Sequence, residues 1–119
     1  MPEGEKRRIL VVDDEPMIRR AIIRLFRDSF ELVEAADRRH AVELLETFPC
    51  AAVLCDATSA SREFLELARR LQPKCRRVVS SSLPVEWSAD LVDAWFPRPW
   101  DSESALAVLR KLVQKGDCV

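Results

Sequence analysis

Ile9-Leu10-Val11-Val12-Asp13-Asp14-Glu15-Pro16 is the stretch on which the fold turns. Four aliphatic residues in a row, with no polar alternation, describe a strand buried on both faces. Two aspartates end it, and Pro16 then suits the first turn of a helix, with Asp14 or Glu15 placed to cap the unpaired amides. A second apolar run, Ala51-Ala52-Val53-Leu54-Cys55-Asp56, also ends on an acid. If the two strands lie parallel in one sheet, Asp13, Asp14 and Asp56 converge at its carboxyl edge, where open α/β sheets bind ligands. Three carboxylates in one crevice repel each other unless a cation sits among them, and Mg²⁺ is the natural guest for hard oxygen ligands.

Outward from these strands, apolar runs of strand length alternate with segments of helical period. Residues 16–28 carry Ile18, Ala21, Ile22, Leu25 and Phe26 on one face, and 38–48 repeat the period through Ala41, Leu44, Leu45 and Phe48 until Pro49 stops it. Residues 61–71 present Phe64, Leu67, Ala68 and Leu71, and 101–114 present Ala105, Val108, Leu109 and Leu112. Strands are expected at 8–12, 30–35, 51–55, 77–80 and 94–97. The stretch 83–93 leaves room only for a shortened fourth helix, about two turns at roughly 1.5 Å per residue. This alternation predicts an α/β fold, a doubly wound five-stranded parallel sheet with helices on both faces. The flavodoxin-like order 2-1-3-4-5 places the first and third strands side by side, and Pro97 agrees with a fifth strand at the sheet edge.

Length and composition set bounds on the rest. A chain of 119 residues with 48% hydrophobic and 33% charged residues suits one globular domain with one core. Nineteen basic residues against twenty acidic ones give no bulk charge that argues for nucleic acid. No apolar run approaches the roughly 20 residues of a membrane span. Cys50, Cys55, Cys75 and Cys118 show no metal-ligand spacing and are expected to be reduced in a cytoplasm, with Cys55 packed as a small hydrophobe. Two glycines, Gly4 and Gly116, are too few for a P-loop, a dinucleotide turn or a nucleophile elbow. His40, the only histidine, falls on a predicted helix and faces solvent.

On these residues the chain resembles the receiver domain of two-component response regulators, from Arg8 to about Val113, and reads as a single receiver domain over 1–119 with a core of about 7–114. The resemblance implies roles residue by residue. Asp13 and Asp14 match the acid pair that holds Mg²⁺, and Asp56 matches the phospho-acceptor, which also ligates the metal. Thr58 stands where the family supplies a backbone carbonyl to the metal. Ser81 matches the switch hydroxyl, with Ser80 as the alternative, and Trp95 holds the place of the switch aromatic. Arg98, followed by Pro99, stands in place of the family lysine; its planar fork suits a phosphoryl group or a resting pair with Asp56. The loop after Asp56 is short, and 83–93 is cut where the family carries part of its output surface.

The implied function is Mg²⁺-dependent phosphorylation of Asp56 that switches a protein-interaction surface. The implied partners are a sensor histidine kinase or phosphotransfer protein on one side and a downstream effector protein or fused output domain on the other. No direct nucleic-acid contact and no membrane are expected, and homodimerisation through the 83–114 face is an option, because Trp87, Trp95 and Trp100 cluster there. The alternative is a pseudo-receiver, a protein-interaction module that works without phosphorylation. A Mg²⁺ phosphohydrolase of the haloacid-dehalogenase type fits poorly, because that chemistry needs Asp-x-Asp and the aspartates here are adjacent. The chain is therefore not expected to be an enzyme.

Overall fold

The computed structural model describes residues 6–57, 61–82, 90–97 and 101–115. Its elements run β1 (Arg8–Val12), α1 (Pro16–Phe26), β2 (Glu31–Ala35), α2 (Arg38–Thr47), β3 (Ala52–Asp56), α3 (Ser61–Leu71), β4 (Arg76–Ser81), β5 (Ala94–Pro97) and α4 (Ser102–Lys115). The five strands form one parallel sheet in the order β2-β1-β3-β4-β5. Pro97 thus ends an edge strand, as expected. The expected shortened helix falls mostly on 83–89, outside the described residues; 90–93 form the turn into β5.

The sheet is covered on both faces because β1 from Ile9 to Val12 and β3 from Ala52 to Cys55 are apolar at every position. Ile9, Leu10 and Val11 of β1 and Ala52 and Val53 of β3 are wholly buried. Leu10, Val12, Val53 and Cys55 face α2 and α3 through Ala41, Leu45, Phe64, Leu65 and Ala68. Ile9, Val11, Ala52 and Leu54 face α1 and α4 through Ile22, Phe26, Ala105 and Leu109. Burying one such side chain stabilises the fold by about 1.5–3 kcal/mol.

Some expected boundaries and faces shift. Helix α1 stops at Phe26, two residues early, where Ser29 and Phe30 amides turn back to the Phe26 carbonyl. Helix α2 stops at Thr47; Phe48 is extended at φ −151° and ψ 157°, as a residue before proline prefers. Ala21, Leu25 and Val108 are exposed, while Leu65 and Val113 are buried, so the apolar stripes are narrower and rotated from the expected ones. Strand β4 is longer by one residue at each end and β3 is moved by one, which carries Asp56 into the strand. Helix α4 begins at Ser102 and reaches Lys115, with the Asp101 carboxylate accepting from Ser104 Oγ just before it.

Polar side chains complete the frame at the end of the sheet away from Asp13 and Asp56. The Gln72 amide donates to the Leu45 and Phe48 carbonyls, where α2 ends, and accepts from the Cys50 amide. Arg77 is buried, and its guanidinium donates to the carbonyls of Leu91 at 2.7 Å, Cys75 at 2.9 Å and Asp90 at 3.1 Å. The Arg77 amide also donates to Asp93 Oδ2, and the Asp93 amide to the Arg77 carbonyl, so the turn before β5 is held to β4 at several points. Arg77→Leu should lower the urea-unfolding free energy by about 2–4 kcal/mol, because three carbonyls lose a charged donor. A loss under about 1 kcal/mol would show that water replaces the guanidinium.

Candidate metal centre at the sheet edge

Strand register builds the site. Val12 lies opposite Cys55 between β1 and β3, so the next residues, Asp13 and Asp56, leave adjacent strands at one level. One carboxylate oxygen from each of Asp13, Asp14 and Asp56 lies within 4.8 Å of the others. Asp13 is buried, Asp56 half-buried and Asp14 exposed. The three line a cavity of about 330 Å³ whose walls include Asp37, Arg38, Cys55 and Ser61.

The backbone around the acids is fixed by short bonds. The Asp13 amide donates to the Ala35 carbonyl at 3.3 Å, and the Arg19 guanidinium donates to the Asp13 carbonyl at 2.6 Å and to Glu34 at 3.0 Å. The expected capping of α1 by Asp14 or Glu15 is corrected. Glu15 is the cap residue by backbone but makes no side-chain cap bond; its own amide donates to Asp13 Oδ1 at 2.9 Å instead. A bond to the residue two positions on is the turn that aspartate side chains make best. Ser61, the buried first residue of α3, donates its hydroxyl to the Asp56 carbonyl at 2.6 Å and so ties α3 to the end of β3.

These residues fit a hard divalent cation. The donors are carboxylate oxygens, and a six-coordinate ion with bonds of about 2.1 Å spans about 4.2 Å between opposite ligands, so a small side-chain rotation closes the set. Among the described residues Cys55 brings the one sulfur to the wall, and it does not compete. Burial, and secondarily the Asp56 carboxylate, push the Cys55 thiol up to about 12, so it stays protonated.

Strand β4 places the two serines on different faces. Ser80 lies opposite Asp56 in the β3–β4 register and is buried, and its carbonyl accepts from the Ala57 amide. Paired residues of parallel strands share a face, so Ser80 is on the side of Asp56 and Ser81 on the other. Ser81 lies opposite Pro97, and its carbonyl accepts from the Trp95 indole at 3.2 Å; that indole is 38% exposed. Among the described residues neither serine lines the carboxylate cavity. Thr58 and Arg98 lie outside the described residues, as do Trp87 and Trp100. Arg19, Asp37, Arg38 and Ser61 are the site-forming residues that motif reading passed over. Asp37 was legible as a helix cap, and it does accept from the His40 amide at 2.8 Å.

No protein-family model matches the chain. The hydrogenase transcriptional regulatory protein HoxA of Bradyrhizobium diazoefficiens is 30% identical over 115 residues, which cover 89% of this chain. The chain spans about a quarter of that relative, 24% of its length. Among solved structures, a CheY-like response regulator receiver domain of Methanospirillum hungatei superposes with a TM-score of 0.85 at 19% identity, covering 96% of this chain and 98% of that one. The signal receiver domain of an HD domain-containing protein from Pseudomonas fluorescens gives 0.86 at 19% identity, covering 99% and 94%. The response regulator TrrA of Thermotoga maritima, in complex with Mg²⁺ and BeF, gives 0.79 at 20% identity, covering 89% and 98%. The fold is that of the CheY-like receiver domains.

The Cys55 thiol offers a check on the cavity wall. Raised from 9.0 to about 12, it holds its proton more tightly folded than unfolded. Its contribution is complete below about pH 9 and is lost as pH rises toward 12. Stability should therefore fall more steeply above pH 9 in the wild type than in Cys55→Ala, read by urea midpoints. Iodoacetamide at about pH 8 should leave Cys55 unmodified until the protein unfolds; rapid native alkylation there would show an open wall.

Proposed function

We propose that the chain is a receiver domain of a two-component response regulator, spanning 1–119, in which Asp56 accepts a phosphoryl group in the presence of Mg²⁺. The observation that carries this reading is the cluster of Asp13, Asp14 and Asp56 at the carboxyl edge of a sheet ordered β2-β1-β3-β4-β5. Asp13, Asp14 and Asp56 would hold the ion, with the Thr58 carbonyl as a further ligand. When bound, Mg²⁺ supplies positive charge against the carboxylates and the phosphoryl oxygens.

The chain's own residues do the rest. A carboxylate oxygen of Asp56 forms the new O–P bond while the P–N bond of a phosphohistidine donor breaks, and its electron pair leaves with the imidazole. The Asp13–Glu15 turn and the Ser61 bond hold the acids in place. The register favours Ser80 over Ser81 as the hydroxyl that follows the phosphoryl group. Arg98, after β5, supplies the opposing cation. Movement at Ser80 passes to the adjacent Ser81 carbonyl, which holds the Trp95 indole, and so biases the exposed face around β5 and α4.

The donor in this reading is a sensor histidine kinase or phosphotransfer protein. The relative named as a transcriptional regulator is about four times as long as the matched part, which supports a fused output domain or a downstream effector as the target. Trp95 and Val108, each 38% exposed, flank a cavity of about 350 Å³ on the 83–114 face, where a second copy or an effector would sit. Among the described residues no helix is long and apolar enough to cross a membrane, and a cytoplasmic site of action follows from the proposed kinase partner.

Mg²⁺ should raise thermal stability, by about 1.4 kcal/mol when the free ion is roughly tenfold above its Kd. Asp56→Asn should keep the fold, weaken that response and abolish phosphoryl uptake. Ser80→Ala, but not Ser81→Ala, should uncouple phosphorylation from the shift of the Trp95 indole resonance. A melting curve indifferent to roughly 10 mM Mg²⁺, or phosphoryl uptake that survives Asp56→Asn, contradicts the proposal and leaves the phosphorylation-independent module.

A further inference from the structure

Arg38 is the first residue of α2, and the Asp37 cap, accepting from the His40 amide, fixes where that helix starts. This start places Arg38 in the wall of the carboxylate cavity. Among the described residues lining that cavity, Asp13, Asp14, Asp37 and Asp56 are acidic and Arg38 is the one cation. A divalent ion leaves such a cavity still acidic, and a dianionic phosphoryl group has to enter it. Arg38 is exposed and also lines an adjoining surface cavity with Glu63 and Phe64, so it borders both the carboxylates and open solvent. Charges lining one cavity act on one another as long as they lie within about the Debye length, roughly 8 Å at physiological salt.

Resting on the receiver reading, we propose that Arg38 is a binding residue for the phosphoryl oxygens at this site. It meets the incoming group on the α2 side of the cavity, independently of Arg98 beyond β5. A guanidinium presents five N–H donors in a fork that matches two phosphate oxygens, which suits it to this contact better than a lysine. The transfer itself needs no further reactant. With acetyl phosphate as donor, Asp56 forms the O–P bond, the P–O bond to the acetyl oxygen breaks, and acetate leaves with the electron pair.

The charge of Arg38 acts with opposite sign on metal and on phosphate, and this separates the proposal from a structural role. Arg38→Gln should tighten Mg²⁺ about threefold, because a like charge leaves the cavity wall. The same variant should slow labelling of Asp56 by acetyl phosphate about tenfold at saturating Mg²⁺, the effect of one charge-assisted hydrogen bond. Arg38→Lys should recover part of the labelling rate. Intact-protein mass spectrometry reads the labelling, and calorimetric titration with Mg²⁺ alone reads the metal. Slowed labelling with Mg²⁺ binding tightened or unchanged supports the proposal. Labelling at the wild-type rate in Arg38→Gln overturns it, as does a joint loss of labelling and Mg²⁺ binding, which marks a structural part. Wild-type protein that takes up no label refutes the receiver reading itself, and the proposal with it.

Discussion

Three carboxylates whose oxygens lie within 4.8 Å of one another repel, by an amount on the order of 1–3 kcal/mol for each pair at the effective dielectric of a protein surface. The register of β1 against β3 imposes that arrangement, because it sets Asp13 and Asp56 at one level on neighbouring strands. The strands cannot slip to relieve it. A shift by one residue would exchange the faces of Ile9, Leu10 and Val11 and set each against the helix pair it is not fitted to. The apolar sheet therefore holds the acids together, and binding a cation converts the repulsion into attraction.

The frame away from this edge is built to stay put. Gln72 pairs the end of α2 with the start of β3, and Arg77 pairs β4 with the turn before β5. Both use one side chain to satisfy several backbone groups that no helix or ladder serves. The edge carrying the carboxylates differs. There, bonds such as Ser61 to Asp56 and Trp95 to Ser81 link elements around the carboxylates and β5.

Much of this could be read before any coordinates, for a physical reason. Fully apolar strands that end in acids have few alternatives, so the strand order and the meeting of Asp13, Asp14 and Asp56 followed from pattern alone. The faces that Ser80 and Ser81 take did not, because a run of serines carries no register signal; pairing with β3 sets them. The cap of α1 was misassigned for a related reason. Asp13, Asp14 and Glu15 all have the chemistry for it, and only the backbone path brings Asp13 Oδ1 to the Glu15 amide. Arg77 was illegible as a core residue, since arginine is almost never buried unless paired and all its partners but Cys75 lie 13–16 positions away. Arg38 carried no motif signal; the start of α2 puts this exposed residue at the cavity wall.

In the proposed function, Asp56 is a phospho-acceptor in a metal-holding pocket coupled to β4 and β5. Amide NMR of the protein with Mg²⁺, before and after addition of beryllofluoride as a mimic of the acyl phosphate, tests it most directly. The account predicts a Mg²⁺ shift at Asp13, Asp14 and Asp56, then a beryllofluoride shift that spreads through Ser80 and Ser81 to the Trp95 indole. Spectra unchanged by beryllofluoride in the presence of Mg²⁺ would contradict it.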